Sequence, residues 1–164
     1  MNIQHLAKVL EGRNDIAERE TILNKAQKEN QVIYGARAIN NQVPTYLKKK
    51  TKDYDILTNK PSKSAKEVAV ELNRRLGREE YSVEKAIHKG TFKVKDSQGS
   101  TVVDYTQIEG TPKIKKSWGN KYSDVKVIKR NIQKRLKDKS KEFRKEKDLD
   151  ALKRIELSEE AFNF

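Results

Sequence analysis

Between residues 14 and 30, apolar side chains recur at Ile16, Ala17, Ile22, Leu23 and Ala26 among charged ones. This is the spacing of a helix that lays one face on a core, with Asn14 or Asp15 available as its cap. Gln31-Val32-Ile33-Tyr34-Gly35 follows as a short β-branched run stopped by glycine, and Ala36 to Asn40 returns to helical character. The pattern predicts strand, tight turn, helix. After Pro44 and the basic run Lys48-Lys49-Lys50-Thr51-Lys52, the alternation in Asp53-Tyr54-Asp55-Ile56-Leu57 predicts a second strand, ended by Thr58-Asn59-Lys60-Pro61. Ser62 or Ser64 then caps a helix to about Leu76, with Ala65, Val68, Ala69 and Leu72 on its apolar side and Gly77 at its stop. Three further strands are expected at 81–88, 91–95 and 101–108, the last two joined by a hairpin at Asp96-Ser97-Gln98-Gly99-Ser100. Residues 110–120 read as a linker. Residues 123–157 read as one or two basic helices with Val127, Ile128, Ile132, Leu136, Phe143, Leu149, Leu152 and Ile155 inward, and 158–164 as a frayed tail. The order specifies an α+β (mixed α/β) domain: a small mixed sheet of about five strands flanked by helices. Its core is expected at 1–110, with a linker and a basic C-terminal helical segment at 111–164 packed on that core.

The length of 164 residues suits one domain with some peripheral structure. No run approaches the roughly 18 apolar residues that a spanning helix needs, and residues 1–12 lack the layout of a signal peptide, so no membrane insertion is expected. The chain contains no cysteine, which excludes disulfides, thiolate metal sites and cysteine nucleophiles and fits a reducing cytoplasm. Usage rich in Lys, Asn and Ile points to an AT-rich viral or bacterial genome, so a virion is the other expected location. With only His5 and His88 as imidazoles, any metal must be a hard ion on oxygen ligands. A serine-hydrolase arrangement is likewise unsupported: Ser97 and Ser100 have no partnering histidine, and His88 beside Lys89-Gly90 reads as a surface residue.

Charge sharpens the picture. The formal net charge is +13, and residues 113–154 hold 17 Lys+Arg against 6 Asp+Glu, so +11 of it lies in about a quarter of the chain. Such a segment is an electrostatic footprint for a polyanion, whether nucleic acid, an anionic membrane surface or an acidic protein partner, and charge alone does not choose among them. Lys115, Lys116, Lys126, Lys129, Arg130, Lys134 and Arg135 are the candidate nucleic-acid contacts. Trp118, in the same segment, has two readings: a plug between the C-terminal helices and the sheet, which is the expected one, or a platform that stacks on a base. Lys147, Asp148 and Asp150 sit on a charged helix and have two readings: a solvated face, which is the expected one, or a face turned to an active cleft.

Candidate chemistry begins at Asp53 and Asp55. Alternate side chains of a strand share a face, so both carboxylates point one way, about 7 Å apart along the strand. Asp104 sits in the otherwise apolar Val102-Val103-Asp104-Tyr105, where a carboxylate is costly unless exposed, paired or bound to metal. If the two strands are neighbours, three carboxylates meet as a two-metal site requires. Upstream, Gly35 ends a strand and opens a helix, which aims backbone N–H groups at an anion.

These residues, in this order, resemble the polymerase-beta-like nucleotidyltransferase superfamily, in particular its minimal and toxin-type members. That pattern runs hydrophobic-Gly-Gly/Ser, a spacer, Asp-hydrophobic-Asp-hydrophobic, then a carboxylate on a later strand. Here the elements are Tyr34-Gly35-Ala36, Asp53-Tyr54-Asp55-Ile56 and Asp104, and the segment 143–152 is similar to the helix that commonly closes that group. The resemblance implies a mixed-sheet nucleotidyltransferase fold and transfer of a nucleoside monophosphate from an NTP to a hydroxyl of protein, RNA or a small molecule. It implies two Mg²⁺ ions on Asp53, Asp55 and Asp104, with Asp104 also the base. Gly35 and Ala36 would offer N–H groups to the triphosphate, and Arg37 and Lys52 would act as charge clamps. Position 36 is Ala where that pattern usually has Ser, and 17 residues separate Gly35 from Asp53, a long spacer. The alternative is a non-catalytic nucleic-acid-binding or virion protein that keeps the fold and binds through its basic C-terminal helices.

Overall fold

The computed structural model describes the backbone of residues 2–162 and the side chains of residues 2–6 and 12–162. Met1, and Asn163 and Phe164 of the expected tail, lie outside the described residues. The first helix, α1 (Ile3–Lys28), is longer than its apolar pattern predicts. Its cap is Asn2, whose side-chain oxygen accepts from the His5 N–H at 2.8 Å, while Asn14, expected to cap, lies mid-helix and donates to Glu80. No proline breaks the intervening run, so the helix continues past the part that has a core to cover. Ala17, Ile22 and Ala26 are buried, but Ile16 is exposed.

Strand β1 (Val32–Tyr34) leads through Gly35 into α2 (Gly35–Gln42), and β2 (Tyr54–Thr58) follows the basic loop. Helix α3 (Pro61–Leu76) begins at Pro61 and stops at Gly77, whose φ of 70° suits a C-terminal glycine. Ser64 is not its cap: it is buried one turn in, where its hydroxyl accepts from Gln31 Nε2 at 3.1 Å. β3 (Ser82–Lys85), β4 (Thr91–Lys95) and β5 (Thr101–Gln107) form a meander.

The expected linker proves to be structured. Residues 114–117 form β6 (Ile114–Ser117), which pairs antiparallel with β7 (Asn120–Ser123). The sheet therefore has seven strands rather than about five, in the order β3-β4-β5-β2-β1-β7-β6. A four-residue strand with two adjacent lysines carries almost no apolar alternation, and edge strands tolerate that composition because one side faces water. Two helices complete the chain: α4 (Val125–Leu136) and α5 (Lys145–Phe162), joined by a 3₁₀ segment (Lys139–Arg144).

Two hydrophobic cores result. One joins α1 and α3 to the sheet around Ile22, Ile33, Ile56, Leu72, Val94, Val103 and Tyr105. The other joins α2, α4 and α5 around Ala38, Ile39, Ile128, Ile132 and Ile155, with Tyr122 packed against both. Phe143 and Leu149, expected inward, are exposed, and Ser158, expected in a frayed tail, is buried within α5. Trp118, expected in the core, is 98 % exposed. Asp148, expected in solvent, is buried, and Arg135 grips it with Nε at 3.1 Å and a terminal nitrogen at 2.9 Å, while Arg144 Nε stands 3.4 Å away. Desolvation would raise this carboxyl's pKa, but the two guanidiniums win and hold it below the ordinary value. The triad ties α4, the 3₁₀ segment and the start of α5 together. It thereby sets where Arg144 and Lys147 stand.

Candidate active site

β2 lies between β1 and β5, antiparallel to the first and parallel to the second, with Tyr34 opposite Asp55 and Asp55 beside Asp104. Parallel partners in register point the same way, so Asp104 joins the face that Asp53 and Asp55 share. One carboxylate oxygen from each of the three lies within 4.8 Å of the others. The Tyr54, Ile56 and Thr58 side chains alternate to the opposite face and are buried.

Neighbouring carboxylates oppose the ionisation of Asp55 and Asp104. Burial, then the charges of Asp53 and Asp104, push the Asp55 pKa up to about 7, against the opposing pull of Lys147 and Arg144. Burial raises Asp104 as well, opposed first by Lys93, whose Nζ is 3.9 Å from Asp104 Oδ1. That oxygen is buried with no hydrogen-bond partner. A close set of hard oxygen donors, one of them a buried orphan, fits a divalent cation.

The β1–α2 turn closes the site from one side. Gly35 has a φ of 68°, and a Cβ added there would overlap Asp55 Oδ2 and lie 3.1 Å from its Cγ. Glycine is thus required twice, for the backbone conformation and for the approach to a carboxylate. No side chain caps α2 at Tyr34, which leaves its first N–H groups free for an anion. Ala36 follows at that turn and offers only its backbone.

Arg37 has a different task from the one its sequence position suggests. Its Nε donates to the Asp53 carbonyl at 2.8 Å, and a terminal nitrogen donates to the carbonyls of Thr51 at 3.1 Å and Lys52 at 2.9 Å. The guanidinium also lies 3.5 Å over the Tyr54 ring. Arg37 therefore holds the strand that presents Asp53, and Thr51 Oγ1 meets Asp53 Oδ1 at 3.2 Å. For the reaction proposed below, Arg37→Lys is expected to lower kcat by about 10²-fold through misplacement of Asp53, with KM for NTP within about twofold of wild type. Steady-state kinetics check this. A rise in KM alone would instead put the guanidinium on the phosphates.

Lys52 is exposed beside Asp53. The cations whose charges act on the aspartates include three that do not stand among the sequence candidates, Lys93 (opposite Asp104 on β4), Lys95 and Arg144, together with Lys147, for which a place at the cleft is the less expected reading. Lys93 could have been found from the alternation of β4. Arg144 and Lys147 depend on how the C-terminal segment docks. Among the seven basic candidates, Lys115 and Lys116 are exposed on β6, and Lys126, Arg130 and Lys134 are exposed on α4. Lys129 pairs with Glu159 at 2.9 Å and Arg135 with Asp148, so these two serve the packing of α5 on α4.

No protein-family model and no curated protein matches the chain. Among solved structures, the Megavirus polyadenylate synthase superposes with a TM-score of 0.72 at 14 % identity, over 94 % of this chain and 36 % of that one. The chain thus spans about a third of that enzyme's length. JHP933 from Helicobacter pylori is a looser likeness, with a TM-score of 0.44, 12 % identity and coverage of 77 % and 56 % of the two chains. A seven-stranded mixed sheet flanked by helices, in a chain of which 94 % superposes on part of the polyadenylate synthase, gives this chain a nucleotidyltransferase-like fold.

Proposed function

We propose that the chain is a divalent-metal-dependent nucleotidyltransferase that moves a nucleoside monophosphate from an NTP to a hydroxyl of protein, RNA or a small molecule. The convergence of Asp53, Asp55 and Asp104 opposite the β1–α2 turn carries this reading. Asp53, Asp55 and Asp104 would hold two Mg²⁺ ions, which when bound would neutralise the triphosphate and acidify the attacking hydroxyl. The N–H groups at Gly35 and Ala36 would face the anion, and Lys147 and Arg144 add positive charge around it. The acceptor oxygen bonds to the α-phosphorus as the α–β bridging bond breaks. Pyrophosphate leaves with the bridging oxygen, and the hydroxyl proton passes to Asp104 Oδ1, which has no hydrogen-bond partner in the resting site.

The test is transfer of label from each of four α-labelled NTPs into protein or RNA with Mg²⁺, comparing wild type with the Asp53→Asn/Asp55→Asn variant. Label that appears with wild type and vanishes in the variant is expected, and it names the nucleotide. A second reading, a retained fold that binds nucleic acid without catalysis, draws support from Ala36 and from the commitment of Arg37 to backbone carbonyls. No transfer from any NTP, together with no rise in melting temperature on adding NTP and Mg²⁺, would decide for that reading.

A further inference from the structure

The β6–β7 hairpin stands apart from the chemistry above and carries the chain's single tryptophan. Ser117 pairs with Asn120, so the loop has two residues, Trp118 and Gly119, and both have positive φ, 51° and 82°. That is the hairpin turn that favours Asn-Gly. A bulky side chain at its first position is strained, and tryptophan is a residue that folding normally buries. Here the indole is 98 % exposed. The turn beneath it is held in place: a Cβ at Gly119 would collide with the Gln27 side chain of α1, and Asn41 of α2 donates to Ser117 Oγ at 3.3 Å.

Its surroundings are cationic. Residues 113–135 hold nine Lys+Arg and a single acid, Asp124, whose carboxylate is occupied in capping α4. Lys115 and Lys116 are exposed beside the turn, and Lys121 follows it on β7. Protein-binding surfaces built on tryptophan are enriched in arginine and other aromatics and depleted in lysine, the reverse of this composition. Exposed aromatics set among phosphate-binding cations are the arrangement that holds single strands. The position also excludes a role in the NTP pocket. β7 runs parallel to β1, with Ile33 beside Tyr122, so the turn lies at the end of the sheet where β1 begins, beyond three strand rises, roughly 10 Å, from the level of Tyr34 and Asp55.

We propose that Trp118, with Lys116 and Lys121, which pair across the hairpin and so share a face, forms a binding site for single-stranded nucleic acid, the indole stacking on a base at the end of the sheet remote from the three aspartates. The site is separate from the transferase reading and is tested without nucleotide or metal. The sole tryptophan is its own probe. In EDTA at low salt, a 20-nucleotide oligothymidylate is expected to quench the Trp118 emission of the wild-type chain. In anisotropy titrations with the same labelled strand, Trp118→Asn is expected to weaken binding about ten- to hundredfold. Because asparagine suits the turn, that variant's melting temperature stays at or above wild type. Lys116→Ala/Lys121→Ala is expected to reduce the slope of log K against log salt by about 1.4. Strand binding that leaves the emission unchanged, or a Trp118→Asn variant with wild-type affinity, would overturn the site. Quenching by polyglutamate as strong as by the oligonucleotide would overturn it in favour of an acidic protein partner. Loss of nucleotide transfer in other variants leaves all these outcomes unaffected.

Discussion

Asp55→Asn is expected to abolish transfer and, in the same molecule, to raise the melting temperature of the metal-free protein at pH 8.5. The Asp55 carboxyl moves from 3.8 to about 7 on folding, because burial and two neighbouring carboxylates oppose its charge. A folded-state pKa above the unfolded one means that the native protein binds the extra proton. Stability from this group is therefore full below the unfolded pKa and is lost as pH climbs through about 7. At about 1.4 kcal/mol per unit, the loss at alkaline pH is bounded by about 4 kcal/mol. Asparagine removes the charge at nearly the same shape, and its amide N–H groups face Asp53 and Asp104 as acceptors. A gain of half the bound corresponds to roughly 4–8 °C in a domain of this size. At pH 4.5 most of that gap should close. Thermal melts in EDTA at the two pH values measure it. A variant that melts at or below wild type at pH 8.5 would mean that Asp55 is not held in a repulsive, desolvated cluster. Mg²⁺ should raise the wild-type melt and leave the variant's unmoved, since ligand binding stabilises only the state that has the site.

The Gly35→Ala variant should be the most damaging change that leaves every charge in place. The backbone at φ 68° already costs an L-residue about 1–2 kcal/mol. The new methyl also meets Asp55 Oδ2 and Cγ, so either α2 or the carboxylate must shift. Transfer is expected to fall by about 10²-fold or more, since reacting groups tolerate little misplacement. Gly77→Ala is the matched control: its φ is 70° but nothing lies within 4 Å of the added methyl. It should cost about 1 kcal/mol and leave transfer intact. Urea melts and the transfer assay on both variants separate backbone strain from the close approach. Equal activities would show that the contact between Gly35 and Asp55 has no functional weight.

Much of the fold was legible from periodicity. The helix at 61–76 and the strands at 32–34, 54–58, 91–95 and 101–107 fall where apolar spacing and glycine stops put them. The face shared by Asp53 and Asp55 follows from the two-residue period of a strand. What failed were segments whose pattern is weak or whose cap signals compete. β6 has almost no apolar alternation, Asn14 sits in a run with nothing to stop the helix, and Ser64 is recruited by Gln31 from the connection between α1 and β1.

The sequence by itself determined which chemistry is available: oxygen ligands only, an Asp-Tyr-Asp strand, a glycine that opens a helix, and a cationic C-terminal third. Those are properties of residue type and of neighbours within a few positions, and local sterics and period settle them. The tertiary structure alone decided that Asp104, 49 positions from Asp55 in the chain, becomes its neighbour through the parallel pairing of β5 with β2. It alone turned Arg37 inward onto three carbonyls, buried Asp148 between two arginines, and left Trp118 in water. Such outcomes depend on which surfaces meet and on which charges lose water when they do. Desolvation and pairing energies of that kind belong to the assembled sheet and helices, and no window of the sequence contains them.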